Sequence, residues 1–453
     1  MEAGKLEDAG LSLDKLPAYG RVLLLQGPVG PFFRRLGRFL EQRGSHVTKV
    51  NFNAGDDWYC PPRRSQGCDV VRFSGRISQW PAFLQELLAH GDYDAIFLFG
   101  DCRPIHRPVG AIAAAAGCAV WVFEEGYFRP SYITLERDGV NAFSPLMTLD
   151  LDQLRSEPAP AVPEAVQFKH AFGQMARQAF FYFAAMAFGA WRYPHYVHHR
   201  EGGFFEALRW VRSWVRRRAY SVSEAKTTRQ VLAPERKNRF FVFPLQVHND
   251  AQICAHSDAS GIQLSLREVV KSFAQNASRE DWLVIKHHPM DRGHTNYRRI
   301  IAKLVAEFGL SGRVHYLHDV RLPALFGHSK GLVTVNSTAG LQGMDHKLPV
   351  LTLGRAFYDR PGLTFQGGLD AFWTTDWKPD HELYRRFRAR AVLTTQINSS
   401  FYADPTCGAS RGASRGASLD APASAQAAQP RFLSPAPLKS RGDSIGPAVT
   451  AQS

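Results

Sequence analysis

From Gly20 to about Asp150, short apolar runs alternate with segments whose apolar residues recur at helical spacing. RVLLLQG reads as a buried strand, FFRRLGRFLEQRG as a helix and HVTKVNF as the next strand. WPAFLQELLAHG continues as a helix and DAIFLFGD as a third strand, and the small-residue helix VGAIAAAAG leads into the strand AVWVFEEG. A second series begins near Asn238. Its strands RFFVFPLQV, DWLVIKHHP, RVHYLHD, GLVTVNSTAG and PVLTLG are separated by the helices SLREVVKSFAQNA, IIAKLVAEFG, LPALFGHSK and GLQGMDHK. Strands and helices alternating at this spacing predict two α/β units, each with a parallel sheet and crossover helices. In the first unit the strands end in LLLQGPVG, NFNAGDD, LFGD and FEEG, so polar, acidic and glycine residues gather at the carboxyl edge. That edge is where open α/β sheets place their ligand crevices.

The stretch between the two series has a different pattern. QAFFYFAAMAFGAW is an apolar, aromatic run of roughly 14 residues, below the ~20 that a membrane-spanning helix needs. Further on, in FFEALRWVRSWVRRRAY, Phe204, Leu208, Val211 and Val215 fall at i, i+4, i+7 and i+11 and form an apolar stripe. Arg209, Arg212, Arg216, Arg217 and Arg218 supply a cationic face. Such a helix either packs on the core with a solvated basic face or lies in a membrane interface. Tryptophans among so many arginines favour the interface, with Trp210, Arg212, Trp214, Arg216 and Arg217 as the contact residues. The region His381–Phe401 reads as helical. After Asp404 a repeat of Gly, Ala, Ser, Arg and Pro has little to bury and predicts a disordered tail. The chain then divides into a polar N-terminal segment (1–18), a first α/β domain (19–160), a helical basic insertion (161–230), a second α/β domain (231–380), a C-terminal helix (381–404) and the tail (405–453).

Composition agrees with two cores, since 453 residues exceed what one hydrophobic core usually serves. Six scattered cysteines make no CxxC pair and no disulfide framework, and the N-terminus lacks the basic and apolar regions of a secretory signal, so a cytoplasmic location is expected. The net charge of +14 calls for an acidic partner: nucleic acid, an anionic membrane or a charged substrate. No RNP-type aromatic motif, zinc-finger spacing or basic-zipper pattern is present, which argues against nucleic acid.

Three short motifs carry candidate chemistry: Glu124-Glu125-Gly126 in the first unit, and His288-Pro289 and Ser337-Thr338 in the second. Two α/β domains facing a cleft make the GT-B arrangement of glycosyltransferases. Transfer from a nucleotide-activated sugar needs a carboxylate to attack the anomeric carbon or deprotonate the acceptor. It also needs donors for the departing phosphate. In TVNSTAGLQG an apolar strand delivers Asn336, Ser337 and Thr338 to a turn containing Gly340 that starts a helix, a phosphate cradle or a plain helix cap. Lys286, His287 and His288 form a possible cationic group at a strand end. The paired acids can equally be a solvated strand end, and Asp56-Asp57 can be read as an acidic metal site.

The segments LLLQGPVGPFFRRLGRFLEQRGSHVTKVNFNAGDDWY, EEGYFRPSYITLERDGVN and NSTAGLQGMDHKLPVLTLGRAFYDRPGLTFQG resemble the capsular polysaccharide β-Kdo transferases of the KpsS/LipB type. The likeness runs from about Gly20 to Trp373. It implies a retaining transfer of Kdo from CMP-Kdo to lyso-phosphatidylglycerol, starting the poly-Kdo linker of a Gram-negative capsule. It further implies work on the cytoplasmic face of the inner membrane, beside other capsule biosynthesis enzymes. Carried over, Glu125 is the essential carboxylate, Glu124 supports it and Asp101 competes for the role. His288 assists departure of CMP; Ser337, Thr338 and Asn336 hold its phosphate. Gln26, Gly27 and Gly30 border the sugar or acceptor, and Arg129 pairs with the Kdo carboxylate. No metal or cofactor is implied. The rival readings are a non-catalytic capsule assembly or export factor and another CMP-ulosonic-acid transferase of the sialyl type.

Overall fold

The computed structural model describes residues 11–62, 68–166, 168, 171–196, 204–246 and 261–402. The predicted tail, 405–453, lies outside the described residues. The first sheet contains β1 (Arg21–Leu24), β2 (His46–Asn51), β3 (Asp69–Arg72), β4 (Ala95–Phe99), β5 (Ala119–Glu125) and β6 (Ile133–Arg137). Its helices are α1 (Phe32–Gln42), α2 (Ala54–Tyr59), α3 (Trp80–Gly91), α4 (Val109–Ala115) and α5 (Leu151–Ser156). Helices α6 (Ala171–Phe188), α7 (Phe204–Ser223) and α8 (Ala225–Val231) follow. The second sheet contains β7 (Phe240–Pro244), β8 (Trp282–Lys286), β9 (Val314–Leu317), β10 (Gly331–Thr334) and β11 (Val350–Thr352). With it come α9 (Ile262–Asn276), α10 (Arg298–Glu307), α11 (Leu322–Phe326), α12 (Ala339–Asp345) and α13 (Gly368–Phe372). The described chain closes with α14 (His381–Thr395) and β12 (Gln396–Ile397).

The strand orders are β12-β6-β5-β4-β1-β2-β3 and β11-β10-β7-β8-β9. All pairings in the second sheet are parallel; in the first, β6 alone runs against the other strands and pairs antiparallel with β5 and β12. Continuous apolar strands arise because helices cover both faces. Side chains alternate across each strand, so Val22 and Leu24 join Phe32 and Leu36 of α1, whereas Leu23 and Leu25 join Trp80 and Leu84 of α3. The second sheet divides in the same way: Phe240 and Val242 on one face, Phe241 and Phe243 on the other. This is the two-unit α/β architecture expected from the pattern, and both sheets belong to one compact unit.

Three strands were not predicted. β3 is a short, half-buried edge. β6 is ITLER, where Ile133, Thr134, Leu135 and Glu136 are all buried although apolar and polar residues alternate along it. β12 ends the helix predicted over His381–Phe401: the chain turns extended at Gln396, whose side chain accepts from the Tyr127 amide and donates to Thr134 Oγ1. Ile397 and Phe401 then enter the core of the first sheet. The two halves also share a core. Tyr127 and Phe128, just past β5, pack in one cluster with Phe240, Leu332 and Phe387, and the Tyr127 and Phe357 rings are 4.3 Å apart.

Candidate active site

Each sheet has one point where the strand order reverses, between β1 and β4 in the first and between β7 and β10 in the second. Connections leave in opposite directions there and open a crevice at the carboxyl ends. Gln26, two residues past β1, and Gly100-Asp101, just past β4, border the first crevice. Gln246, two residues past β7, and Asn336, two past β10, border the second, and Gln246 Nε2 donates to Asn336 Oδ1 at 2.9 Å. Nothing in the hydrophobic pattern singled out Gln246. Its signal is a Leu-Gln pair past the first strand of each half, Leu25-Gln26 and Leu245-Gln246.

The adjacent acids at the end of β5 point to opposite faces of the sheet, as the pleat requires. Glu124 is turned towards Gly100, Asp101 and Arg103. Its Oε1 accepts the Glu125 amide at 2.9 Å, and burial pushes its carboxyl up to about 7. Glu125 has a side chain 46% exposed, with Oε2 4.0 Å from Arg129 Nε. Arg129 Nε also donates to the Gly126 carbonyl at 3.2 Å. Gly126 is required here: a Cβ would sit 1.9 Å from the Tyr132 carbonyl oxygen across the β5–β6 turn. Asp101 Oδ2 accepts the Val140 amide at 3.1 Å. Beyond it, Tyr127 Oη and Ser144 Oγ donate to the two oxygens of Glu136, at 2.9 and 2.6 Å. Burial raises Glu136 to about 8. Glu136 and Tyr127 were invisible in the sequence because ITLER was not recognised as a strand.

The glycines of the first loop pack against protein atoms. A Cβ at Gly27 would meet the Phe33 ring at 2.6 Å, and one at Gly30 would meet Gln178 Oε1 at 2.4 Å. Close packing is reason enough for glycine at both positions, and both remain half-buried. Gln26 is buried; its Nε2 donates to Tyr196 Oη at 2.7 Å and its Oε1 accepts from Arg103 at 3.2 Å. Asp56 and Asp57 are occupied as well. Asp56 accepts the Phe52 amide and the Tyr182 hydroxyl, while Asp57 accepts Asn51 Nδ2 and the Tyr193 hydroxyl and pairs with Arg72 at 2.9 Å. These acids bind α6 and the turn after it to the first domain.

On the facing domain, only Lys286 of the KHHP segment is charged at neutral pH, and its ammonium is turned into the protein. Lys286 is buried, donates to the carbonyls of His287 and His318 at 2.6 and 2.9 Å, and is lowered to about 8 by burial. His287 is buried against Tyr316 Oη at 2.6 Å and lowered to about 3. His288 caps the following turn by accepting the Met290 amide on Nδ1 at 3.2 Å. Burial, then the charges of Lys286, Arg129 and Arg292, lower it to about 4. At neutral pH it is therefore a neutral imidazole with its proton on Nε2. The effect of Arg129 on this histidine brings the arginine of the first domain opposite the His-Pro motif of the second. Ser337 and Thr338 stand half-buried at the start of α12, and Ser337 Oγ accepts the Ala339 amide at 3.2 Å. Gly340 is buried: a Cβ would lie 2.5 Å from Tyr358 Oη, so it serves the seating of α12 on that ring.

Helix α7 is docked on this same edge. Arg216 donates to the Arg292 carbonyl at 2.9 Å, Arg217 pairs with Asp319 at 3.5 Å, and Tyr220 stacks on His318 with ring centres 3.8 Å apart. Glu224, between α7 and α8, accepts the His318 amide at 2.7 Å and pairs with its Nδ1 at 2.5 Å. Arg216 is thus turned towards the protein, whereas Arg217, its side chain 66% exposed, reaches Asp319 from the surface. Arg212 and Trp214 are exposed, and the side chain of Trp210 lies outside the described residues.

Residues 94–402 match the capsule polysaccharide biosynthesis protein family. The chain is 39% identical over 394 residues to the capsule polysaccharide export protein KpsS of Escherichia coli, spanning 87% of this chain and 100% of that protein. It is 42% identical over 387 residues to the capsule polysaccharide modification protein LipB of Neisseria meningitidis, spanning 84% of this chain and 91% of LipB. Among solved structures, the β-Kdo 2,7 transferase of Thermosulfurimonas dismutans KpsC aligns with 83% of this chain and 92% of its own, at a TM-score of 0.43 and 15% identity. The sequence likeness to KpsS and LipB spans most of the chain, and the chain belongs to the capsule polysaccharide biosynthesis protein family.

Proposed function

We propose that this chain is a retaining β-Kdo glycosyltransferase that moves Kdo from CMP-Kdo to lyso-phosphatidylglycerol at the cytoplasmic face of the inner membrane, starting the poly-Kdo linker of a capsule. One observation carries the reading. Two adjacent carboxylates, Glu124 and Glu125, sit in different electrostatic environments at a strand end of the first sheet, and Arg129, paired with Glu125, also acts on His288 of the second domain. Separated environments of this kind divide acid–base work between two like groups. The similarity to KpsS and LipB supplies the capsule context.

In the first displacement a Glu125 oxygen bonds to the anomeric carbon while the bond from that carbon to the CMP phosphate oxygen breaks, its electron pair leaving with CMP. Neutral His288 donates from Nε2 to the departing phosphate, and the hydroxyls of Ser337 and Thr338 share its charge. Arg129 binds the Kdo carboxylate in two-point geometry. That contact competes with the Glu125–Arg129 pair and releases Glu125 to attack. In the second displacement a glycerol hydroxyl of the acceptor attacks the same carbon, its proton passes to Glu124, and the Glu125 ester bond breaks. Two inversions retain the configuration. The donor loses a monophosphate rather than a diphosphate, so no metal is assigned to the reaction.

The test is to incubate the protein with CMP-Kdo and a lyso-phosphatidylglycerol analogue and to look for the Kdo-bearing product by mass. A protein that binds no CMP and forms no product is an assembly or export factor. Product from CMP-sialic acid but not from CMP-Kdo would give the role to the sialyl-type reading.

A further inference from the structure

The face of α6 turned away from the protein is aromatic. Phe188 is 86% exposed, Trp191 75%, Phe180 68% and Trp58, stacked on Phe181, 56%. Phe180, Ala184, Phe188 and Trp191 recur at helical spacing, so they form one ridge. The opposite face, Gln178, Tyr182, Ala185 and Gly189, is seated on the first domain. Tyr182 accepts from Asn53 and donates to Asp56, and a Cβ on Gly189 would be 2.4 Å from that of Ala54. This face is fixed to the loops that border the first crevice: Gln178 abuts Gly30, and Tyr196 holds Gln26.

Charge narrows what can cover the ridge. Residues 171–192 contain no Asp or Glu, and both of their charges are arginines. Arg177 is exposed one turn before Phe180, and the Arg192 guanidinium lies 4.8 Å over the Trp191 ring. A second copy docking by symmetry would set these arginines against one another. An anionic phospholipid surface takes both parts, rings into the acyl boundary and guanidinium groups at the phosphates. Among the described residues no helix is long and apolar enough to cross a membrane, so the contact would be a lateral one.

We infer that the Phe180–Trp191 ridge with Trp58 is the surface by which this protein lies on an anionic phospholipid bilayer. The inference deepens the proposed function: a lipid acceptor keeps its acyl chain in the bilayer while its glycerol end reaches the crevice, so the bilayer must border the first domain. Helix α7 also exposes Val211, Trp214 and Val215, but it is docked on the second domain, beside the His-Pro segment.

The test uses the full chain with phosphatidylglycerol and phosphatidylcholine vesicles, read by sedimentation. Phe188→Ser/Trp191→Ser should keep the far-UV spectrum and melting temperature, because both side chains are exposed. It should lower the partition onto phosphatidylglycerol by about tenfold or more. Trp214→Ser/Val215→Ser should change that partition by less than about threefold. Unaltered binding by the α6 variant, or loss confined to the α7 variant, would overturn the inference. So would unaltered vesicle binding together with a smaller oligomer in the α6 variant, which marks the ridge as a contact between copies. Transfer to a short-chain soluble acceptor separates the two readings. If the native chain shows no transfer but its vesicle binding depends on the ridge, the catalytic reading fails and the surface stands.

Discussion

Replacing Glu124 by Gln tests the division of labour between the paired acids and gives activity and stability opposite signs. The Glu124 carboxyl is raised from 4.5 to about 7 chiefly by burial, so it is ionised in about half the molecules at neutral pH. Below about pH 4.5 the carboxyl is protonated in folded and unfolded chains alike and carries no penalty. Between there and about pH 7 the unfolded chain ionises first, and native stability falls as pH rises. Above pH 7 the full cost of the buried charge, about 3 kcal/mol at most, is present. The amide of the variant is neutral throughout. The melting temperature of Glu124→Gln relative to the native protein should therefore rise between pH 5 and pH 8. Its turnover should fall at least about a hundredfold, the scale for losing a general base. With CMP-Kdo but no base for the second step, Kdo should accumulate as an ester on Glu125, seen as a mass increase on the peptide spanning β5. In the native enzyme the rate should climb about tenfold per pH unit below 7 and level off above it. A flat stability difference with near-native turnover in Glu124→Gln would return the base to Asp101. An adduct that survives Glu125→Gln would remove Glu125 as the nucleophile.

On the donor side, His288→Ala should lower turnover about a hundredfold and Ser337→Ala should raise the KM for CMP-Kdo, since each removes one donor to the departing phosphate; steady-state kinetics separates the two. Because His288 is lowered to about 4, no loss of activity from its protonation should appear above about pH 5. Arg216→Glu/Arg217→Glu should weaken CMP binding measured by calorimetry and leave vesicle sedimentation within about twofold, since these arginines hold α7 to Arg292 and Asp319. EDTA should leave the transfer rate unchanged, Asp56 and Asp57 being engaged by Tyr182, Tyr193 and Arg72; strict dependence on a divalent ion would contradict the mechanism.

The two α/β units were legible because a buried parallel strand is a local object: VLLL, AIFLF and FFVF announce themselves without reference to any neighbour. Carboxyl-edge residues were legible for the same reason, since they are where such runs stop. Long-range contacts were not. The β6 strand has Thr134 and Glu136 buried beside Ile133 and Leu135, satisfied by Gln396 from more than two hundred residues away and by Tyr127 and Ser144. The alternation Ile-Thr-Leu-Glu was itself a strand signal, though over so few residues a weak one, and the partners that satisfy its buried polar side chains cannot be seen along the chain. The seam of the arginine helix was hidden by a related route. Its stripe of Val211 and Val215 read as the membrane side and stands exposed, whereas α7 packs through Arg209, Ser213, Arg216 and Tyr220, with Gly293 close enough to Arg209 that a Cβ would meet its carbonyl at 2.3 Å. Polar residues make the seam there because Asp319, His318 and the Arg292 carbonyl wait opposite them, and hydrophobic periodicity holds no information about a partner that is polar. The EEG motif shows both limits together. Its glycine follows from the Tyr132 carbonyl across the turn, and its acids fall on opposite faces by the pleat alone. Which acid is raised and which is paired with Arg129 depends on Gly100, Asp101 and Arg103 at the neighbouring strand end. The chemistry of the motif is therefore set by the sheet order, and adjacency in sequence hid the different surroundings of its two acids.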